Sequence, residues 1–393
     1  MNHIGTKARR DPVAFLCVLG AFVVQIGYSD SANGYEIIKY AIGRRRRMHY
    51  IGCKSSRIKT QRESSRLRQL ASEQTLQFTL PHPMRSFLVL LLTLASSAFA
   101  SAPSREVGPY TLHPISPGVI RIEDANHTNP PGIHLDAQGN TKSFNNCSDM
   151  YLIVGRDRAL LIDLSNAIKW DATAIESLQK LVADEISDRR LYIAVTHHHG
   201  DHTGMLPAFK DNPDVTFWIQ KDEFSGRELF PADRTIPISG NPSLDLDGGV
   251  VVDALKIPGH THHSTAYFLR GKNLLFSGDG IGSGHGVWIF SNEGFAQYRQ
   301  SIDRLIAYIR NPDHQIDEDK LLIFGGHYWQ KREKEKLTMR YILDMQKLID
   351  EIKAGTAQEE RVNFGRPYLD RNFISGEAII TWNKADAERF QAE

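Results

Sequence analysis

Thr196-His197-His198-His199-Gly200-Asp201-His202 follows directly on the apolar run Leu191-Tyr192-Ile193-Ala194-Val195. The run has the length and the β-branched and aromatic content of a buried strand, so the polar cluster begins where the chain leaves a sheet. In layered α/β folds, the carboxyl ends of strands are where sites are built. A lone histidine in such a place is most often a satisfied core residue. Four ligand-type side chains, His197, His199, Asp201 and His202, within six positions answer no packing need. Nitrogen and oxygen donors of this kind suit zinc or iron and argue against a thiolate cluster or an all-oxygen calcium site. His198 alternates with its neighbours, so its ring is expected to point the other way.

Three further candidate ligands stand downstream, each after an apolar, strand-like run. His260 follows Val250 to Ile257 within Pro258-Gly259-His260-Thr261, Asp279 ends Leu274-Leu275-Phe276-Ser277-Gly278-Asp279, and His327 ends Leu321-Leu322-Ile323-Phe324-Gly325-Gly326-His327. Loops at strand ends are able to converge on one site. Asp163, after Ala159-Leu160-Leu161-Ile162, stands at another such strand end.

With His-x-His-x-Asp-His followed by His, Asp and His, the chain resembles the metallo-β-lactamase superfamily over roughly residues 108–355, and all seven motif positions are filled. The resemblance implies an α/β fold, a four-layered αββα sandwich of two similar halves. It implies two zinc ions per chain, with His197, His199 and His260 holding one, Asp201, His202 and His327 the other, and Asp279 bridging both. Asp163 matches the family's buried strand-end aspartate, which orients ligand loops from behind. Members that hydrolyse β-lactams usually carry cysteine or serine at or near the place of Asp279, whereas the superfamily's thioester, lactone, phosphodiester and sulfate-ester hydrolases carry aspartate, so the resemblance implies a small ester, lactone, thioester or amide substrate ahead of a β-lactam. A glutamate in place of the second histidine would mark the flavodiiron branch, and His199 argues against it.

The implied chemistry is hydrolysis of a small molecule by water activated at about neutral pH between two cations, with Asp201 also able to accept a proton. The alternative is the family's persulfide dioxygenases, which keep much the same residues around a single iron. Ser264 and Ser277 lie near ligands, but neither sits in a Gly-x-Ser-x-Gly elbow. His262 and His263 replace the proline and glycine more usual in the family, which would alter the His260 loop or add a hydrogen-bonding group there. The glycine-rich stretch Gly280 to Trp288 offers His285 and Trp288 as substrate-binding groups. Phe224, Phe230 and Pro231 fall in the family's variable region, as pocket lining or as a small satellite core.

The 393 residues carry a net charge of +1, which hides an asymmetry. Residues 1–83 hold 14 Lys plus Arg against 5 Asp plus Glu, leaving 33 against 41 for the rest. A basic leader, read as non-globular or as an over-extended gene product, thus precedes an acidic domain, and nucleic acid is not expected as a partner. Met84-Arg85-Ser86, the apolar Phe87 to Ala95 and Ala98-Phe99-Ala100 read as a signal peptide over 84–100. Residues 101–393 would then form an exported domain, periplasmic or secreted after cleavage near Ala100, without a stable membrane span. Cys147 is the only cysteine after residue 100, so the domain relies on its core and not on an internal disulfide.

Strands are expected near Tyr110–Ile115, Val119–Ile122, Tyr151–Val154, Ala159–Ile162, Leu191–Val195 and Val215–Ile219 in the first half. The second half should supply Val250–Ile257, Thr265–Leu269, Asn273–Phe276 and Leu321–Phe324, with a further strand at Ala378–Trp382. Helices are expected over Ala172–Ala183, Gly294–Ile309 and Lys331–Lys353, the last from apolar positions such as Leu337, Tyr341, Met345 and Leu348 on one face.

Overall fold

Arg158–Ile162 and Arg190–Ala194 pair in parallel, and each strand is apolar on both of its faces. Such two-sided strands need cover on two sides, and the fold supplies it. Leu160 and Ile162 enter a core shared with Tyr267, Leu274 and Phe276 of a second sheet, while Ala159 and Leu161 enter another with Leu178, Leu181 and Val182 of the helix Ala174–Ile186. The structure, a computed structural model, describes residues 14–19, 22–30, 36–43, 49–55, 103–125, 132–135, 141–145, 147–282, 286–327, 337–366 and 368–392.

The first sheet has eight strands. Thr235–Pro237, Thr216–Ile219, Arg190–Ala194 and Arg158–Ile162 run parallel. Asp149–Val154, Val119–Asp124, Tyr110–Ser116 and Arg105–Val107 continue the sheet in antiparallel fashion. The second sheet has five strands in the order Ser243–Asp245, Val251–Lys256, Thr265–Leu269, Leu274–Gly278 and Leu322–Gly325. Its outer face is covered by the helices Asn292–Ile309 and Met339–Lys353, through a core that includes Leu255, Phe268, Leu275, Ile302, Leu305, Ile342 and Met345. Helix, sheet, sheet and helix therefore stack as the expected αββα sandwich. Each fully buried Leu, Ile or Phe contributes about 1.5–3 kcal/mol to holding those layers together.

One element differs from the sequence expectation. The last long helix was expected from Lys331, but Leu337 is extended, its carbonyl accepting from the Ile323 N–H at 2.8 Å, and Thr338 caps a helix that begins at Met339. The expected strand Ala378–Trp382 forms, as part of a further sheet with Arg371–Ser375, Gln358–Arg361 and the short Val287–Trp288. Trp382 from this sheet stacks on Phe295, 4.5 Å between ring centres, which ties it to the second helical layer.

Met1–Leu90 is a separate unit, in which the described backbone forms an antiparallel meander of Ala14–Leu19, Phe22–Asp30, Glu36–Gly43 and His49–Ser55. The expected signal segment 84–100 lies outside the described residues. No helix among the described residues is long and apolar enough to cross a membrane.

Candidate metal centre

The carboxyl ends of six strands deliver the site. From the first sheet come Asp163 after Arg158–Ile162, the His197–His202 segment after Arg190–Ala194, and Glu223 after Thr216–Ile219. The second sheet adds His260 after Val251–Lys256, Asp279 after Leu274–Gly278, and His327 after Leu322–Gly325. All seven expected ligands converge in two groups, His197, His199, His260 and Asp279 in one and Asp201, His202 and His327 in the other, with donor atoms in each group within 4.8 Å of one another.

Each ring is held from behind. The Nδ1 atoms of His260 and His327 donate to the carbonyl oxygens of Trp288 at 2.9 Å and Cys147 at 2.7 Å. His202 Nδ1 lies 2.9 Å from Asp163 Oδ2, and His197 Nδ1 lies 3.0 Å from Thr196 Oγ1. These contacts turn four Nε2 atoms inward, whereas His199 presents Nδ1. Asp163 also accepts from the Thr196 N–H at 2.7 Å and the Thr196 hydroxyl at 2.9 Å, so one buried carboxylate sets the start of the ligand segment and the orientation of His202. It does so from a left-handed turn at φ 64°, a conformation aspartate tolerates better than most residues.

The inner geometry fits a cation. His199 Nδ1 lies 3.0 Å from His197 Nε2 and 3.1 Å from His260 Nε2, so three ring nitrogens face one another. A tetrahedral zinc with bonds of about 2.0–2.1 Å sets its ligand atoms roughly 3.3 Å apart. Among the described residues, His202 Nε2 is buried with no hydrogen-bond partner. Asp279 stands between the groups, its Oδ2 3.7 Å from His260 Nε2 and 3.9 Å from His197 Nε2, its Oδ1 3.3 Å from His327 Nε2 and 3.4 Å from His202 Nε2. A Cβ on Gly326 would fall 2.5 Å from Asp279 Oδ1 and 2.5 Å from His202 Cε1, so only glycine leaves this space open.

Electrostatics divide the two groups. Burial pushes His197 well below the ordinary histidine range, lowers His260 and brings His199 down to about 3, so these rings are neutral and ready to ligate. Burial opposes charge on His202 and His327 too, but there the carboxylates prevail. Asp279, Asp163 and Asp201 hold His202 well above its usual value, and Asp279 and Asp201 raise His327 to about 9. An ion entering the second group therefore displaces protons that it does not meet in the first.

His198 turns away from the ligand cluster, as expected, with Nδ1 2.6 Å from Glu223 Oε1. His198→Ala should leave metal content close to that of the wild type, whereas His199→Ala should lose the ion of the first group. Elemental analysis of the two variants checks this, and equal losses would refute the assigned alternation.

The expected substrate groups fare differently. His285 lies outside the described residues. Trp288 offers its carbonyl to His260 while its ring leans on Phe364, 5.2 Å between centres. The aromatic wall beside the ligands is instead Phe290, 5.4 Å from the His260 ring and 6.0 Å from His199. Phe290 borders a cavity of about 230 Å³ together with His198, His199, His260, His262 and Ser291. Phe224 and Phe230 pack on each other at 5.0 Å, and Phe230 on Phe217 at 5.4 Å, as core. Ser277 Oγ donates to the Ile281 carbonyl at 2.6 Å, and Ser264 Oγ lies 2.6 Å from Thr261 Oγ1, so both hydroxyls are tied into loops. Sequence reasoning missed Glu223 and Phe290, single residues without a motif, and the two carbonyl anchors, which any residue type could supply.

A model of the metallo-β-lactamase superfamily matches residues 148–314. The lactamase-like protein nscB of Trichophyton rubrum is 30% identical over 259 residues, covering 65% of this chain and 70% of that protein. The atrochrysone carboxyl ACP thioesterase of Aspergillus fumigatus is 33% identical over 141 residues, 35% of this chain and 30% of that protein. A solved metallo-β-lactamase from Erythrobacter litoralis is 18% identical with a TM-score of 0.43, covering 63% of this chain and 100% of that one. With the nscB relative and the family match in agreement, the chain belongs to the metallo-β-lactamase superfamily. It is a hydrolase of that family.

Proposed function

We propose that this protein is a binuclear zinc hydrolase of small acyl esters, with thioesters foremost and lactones and amides in the same class. The observation that carries this reading is Asp279, with one carboxylate oxygen turned to each group of nitrogen donors. His197, His199 and His260 would hold one ion, Asp201, His202 and His327 the other, with Asp279 shared. Bound zinc supplies Lewis acidity and, at about neutral pH, hydroxide from water.

The chain's own groups supply the rest. Burial and the carbonyl behind His260, with Thr196 behind His197, keep the ligand rings in fixed positions, so little reorganisation accompanies the reaction. Asp201 is 23% exposed, and its Oδ2 lies 3.4 Å from His327 Nε2, which places an ionised carboxylate at the open side of the centre to accept a proton. Phe290 sets an aromatic face beside the His199 and His260 rings. The cavity of about 230 Å³ is smaller than the roughly 300–1,000 Å³ of a pocket that encloses a whole ligand. It suits one arm of a substrate, with the remainder outside, as for an acyl group on a bulky thiol. Relatives named as ACP thioesterases in Aspergillus fumigatus and Paecilomyces divaricatus support the thioester reading.

A panel of acyl thioesters and lactones offered to the zinc-loaded full chain tests the proposal, with thiol release followed by a chromogenic reagent. Thioester turnover that a chelator abolishes and added zinc restores is expected. Turnover that survives metal removal would refute it.

A further inference from the structure

Glu223 lies in the turn Lys221–Phe224, 7% exposed, and both of its carboxylate oxygens are engaged. Oε1 accepts from the His198 N–H at 3.0 Å and lies 2.6 Å from His198 Nδ1. Oε2 accepts from the His263 N–H at 3.0 Å. Burial opposes its charge, but the bonds from the ring and N–H of His198 outweigh burial and hold Glu223 below the ordinary glutamate range. The result is an ionised, acceptor-only group surrounded by donors.

The two segments it joins are the ones that build the first ligand group. One carries His197 and His199, and the other His260, 61 residues further along the chain. The 3.1 Å approach of His199 Nδ1 to His260 Nε2 therefore depends on the relative placement of two loops, and Glu223 bonds to His198, beside His199, in one and to the His263 N–H in the loop that carries His260. We propose that Glu223 is a positioning residue for the first metal, a buried clamp that fixes the separation of His199 and His260 and so sets the affinity and geometry of the ion they hold. Glu223 adjoins Phe224 in the turn Lys221–Phe224, so the clamp also ties that turn to the metal loops. The inference rests on reading the site as a metal centre, and its test separates the two.

Glu223→Gln preserves shape but sets an amide donor against N–H donors. Cobalt(II) titrated into the metal-free full chain reports the first group through its visible absorption, while thermal unfolding of the metal-free protein reports stability. The expected result is a shifted visible band and an affinity lowered roughly 10–100-fold in E223Q, with an unchanged metal-free melting temperature. A lower melting temperature with the wild-type band and affinity would make Glu223 merely structural and overturn the proposal. Should E223Q fail to fold, H198A carries the test. It removes one of the donors, and a few-fold loss of affinity is expected where an unchanged titration would overturn the clamp. If the wild type binds no cobalt, the metal reading itself fails and the clamp with it.

Discussion

Asp279→Ala is expected to lower metal content from two ions per chain to about one and to reduce turnover by more than about 100-fold, beyond the roughly 10–100-fold typical of a partner behind a ligand. Among the described residues, this carboxylate is the one with an oxygen facing each of the two ligand groups, at 3.7 Å from His260 and 3.3 Å from His327. Alanine removes the shared ligand and also the negative charge that, after burial's opposing effect, does most to keep His202 and His327 protonated in the metal-free state. The three neutral rings of the first group remain, so one ion should still bind there. Elemental analysis and a thioester assay on the same preparation check both halves. Unchanged occupancy by two ions would remove the bridging role.

Gly326→Ala should be nearly as damaging through the addition of one methyl group. The new Cβ would stand 2.5 Å from both Asp279 Oδ1 and His202 Cε1, well short of the van der Waals contact distance to each. Neither neighbour is able to yield cheaply. His202 is fixed behind by Asp163 at 2.9 Å, and Gly326 is itself held by backbone bonds, its N–H donating to the Gly278 carbonyl and its carbonyl accepting from Asp149, both at 2.8 Å. The expected result is loss of the second metal and of most activity in a protein that stays folded, because the three apolar cores lie elsewhere. Circular dichroism with metal analysis distinguishes this from unfolding. A fully loaded, active variant would mean that the loop relaxes freely.

The layers and the ligands were legible in the sequence for one physical reason, two-sided burial. Arg158–Ile162, Arg190–Ala194 and Leu274–Gly278 are short apolar runs, and each is followed closely by a polar residue of the site, so strand, strand end and site are written in one pattern. Three-residue edge strands such as Thr235–Pro237 and Ser243–Asp245 are too short to show a period. Leu337 shares the apolar period of the helix after it, but its backbone is taken by Ile323, so tertiary pairing overrides the local pattern. The supporting groups were hidden for another reason. Carbonyl anchors at Cys147 and Trp288 leave no trace in residue type, and Glu223 is one acid among many until the fold brings it to His198 and His263. Phe290 rather than Trp288 forms the aromatic wall because the two-residue strand Val287–Trp288 commits the Trp288 backbone to sheet and ligand support.

Metal stoichiometry by elemental mass spectrometry, on the full chain expressed without added metal, tests the central claim most directly. About two zinc ions per chain are expected, falling to about one in Asp279→Ala. A single iron per chain in the wild type would contradict it and redirect the chemistry from hydrolysis to oxygen-dependent reactions of sulfur.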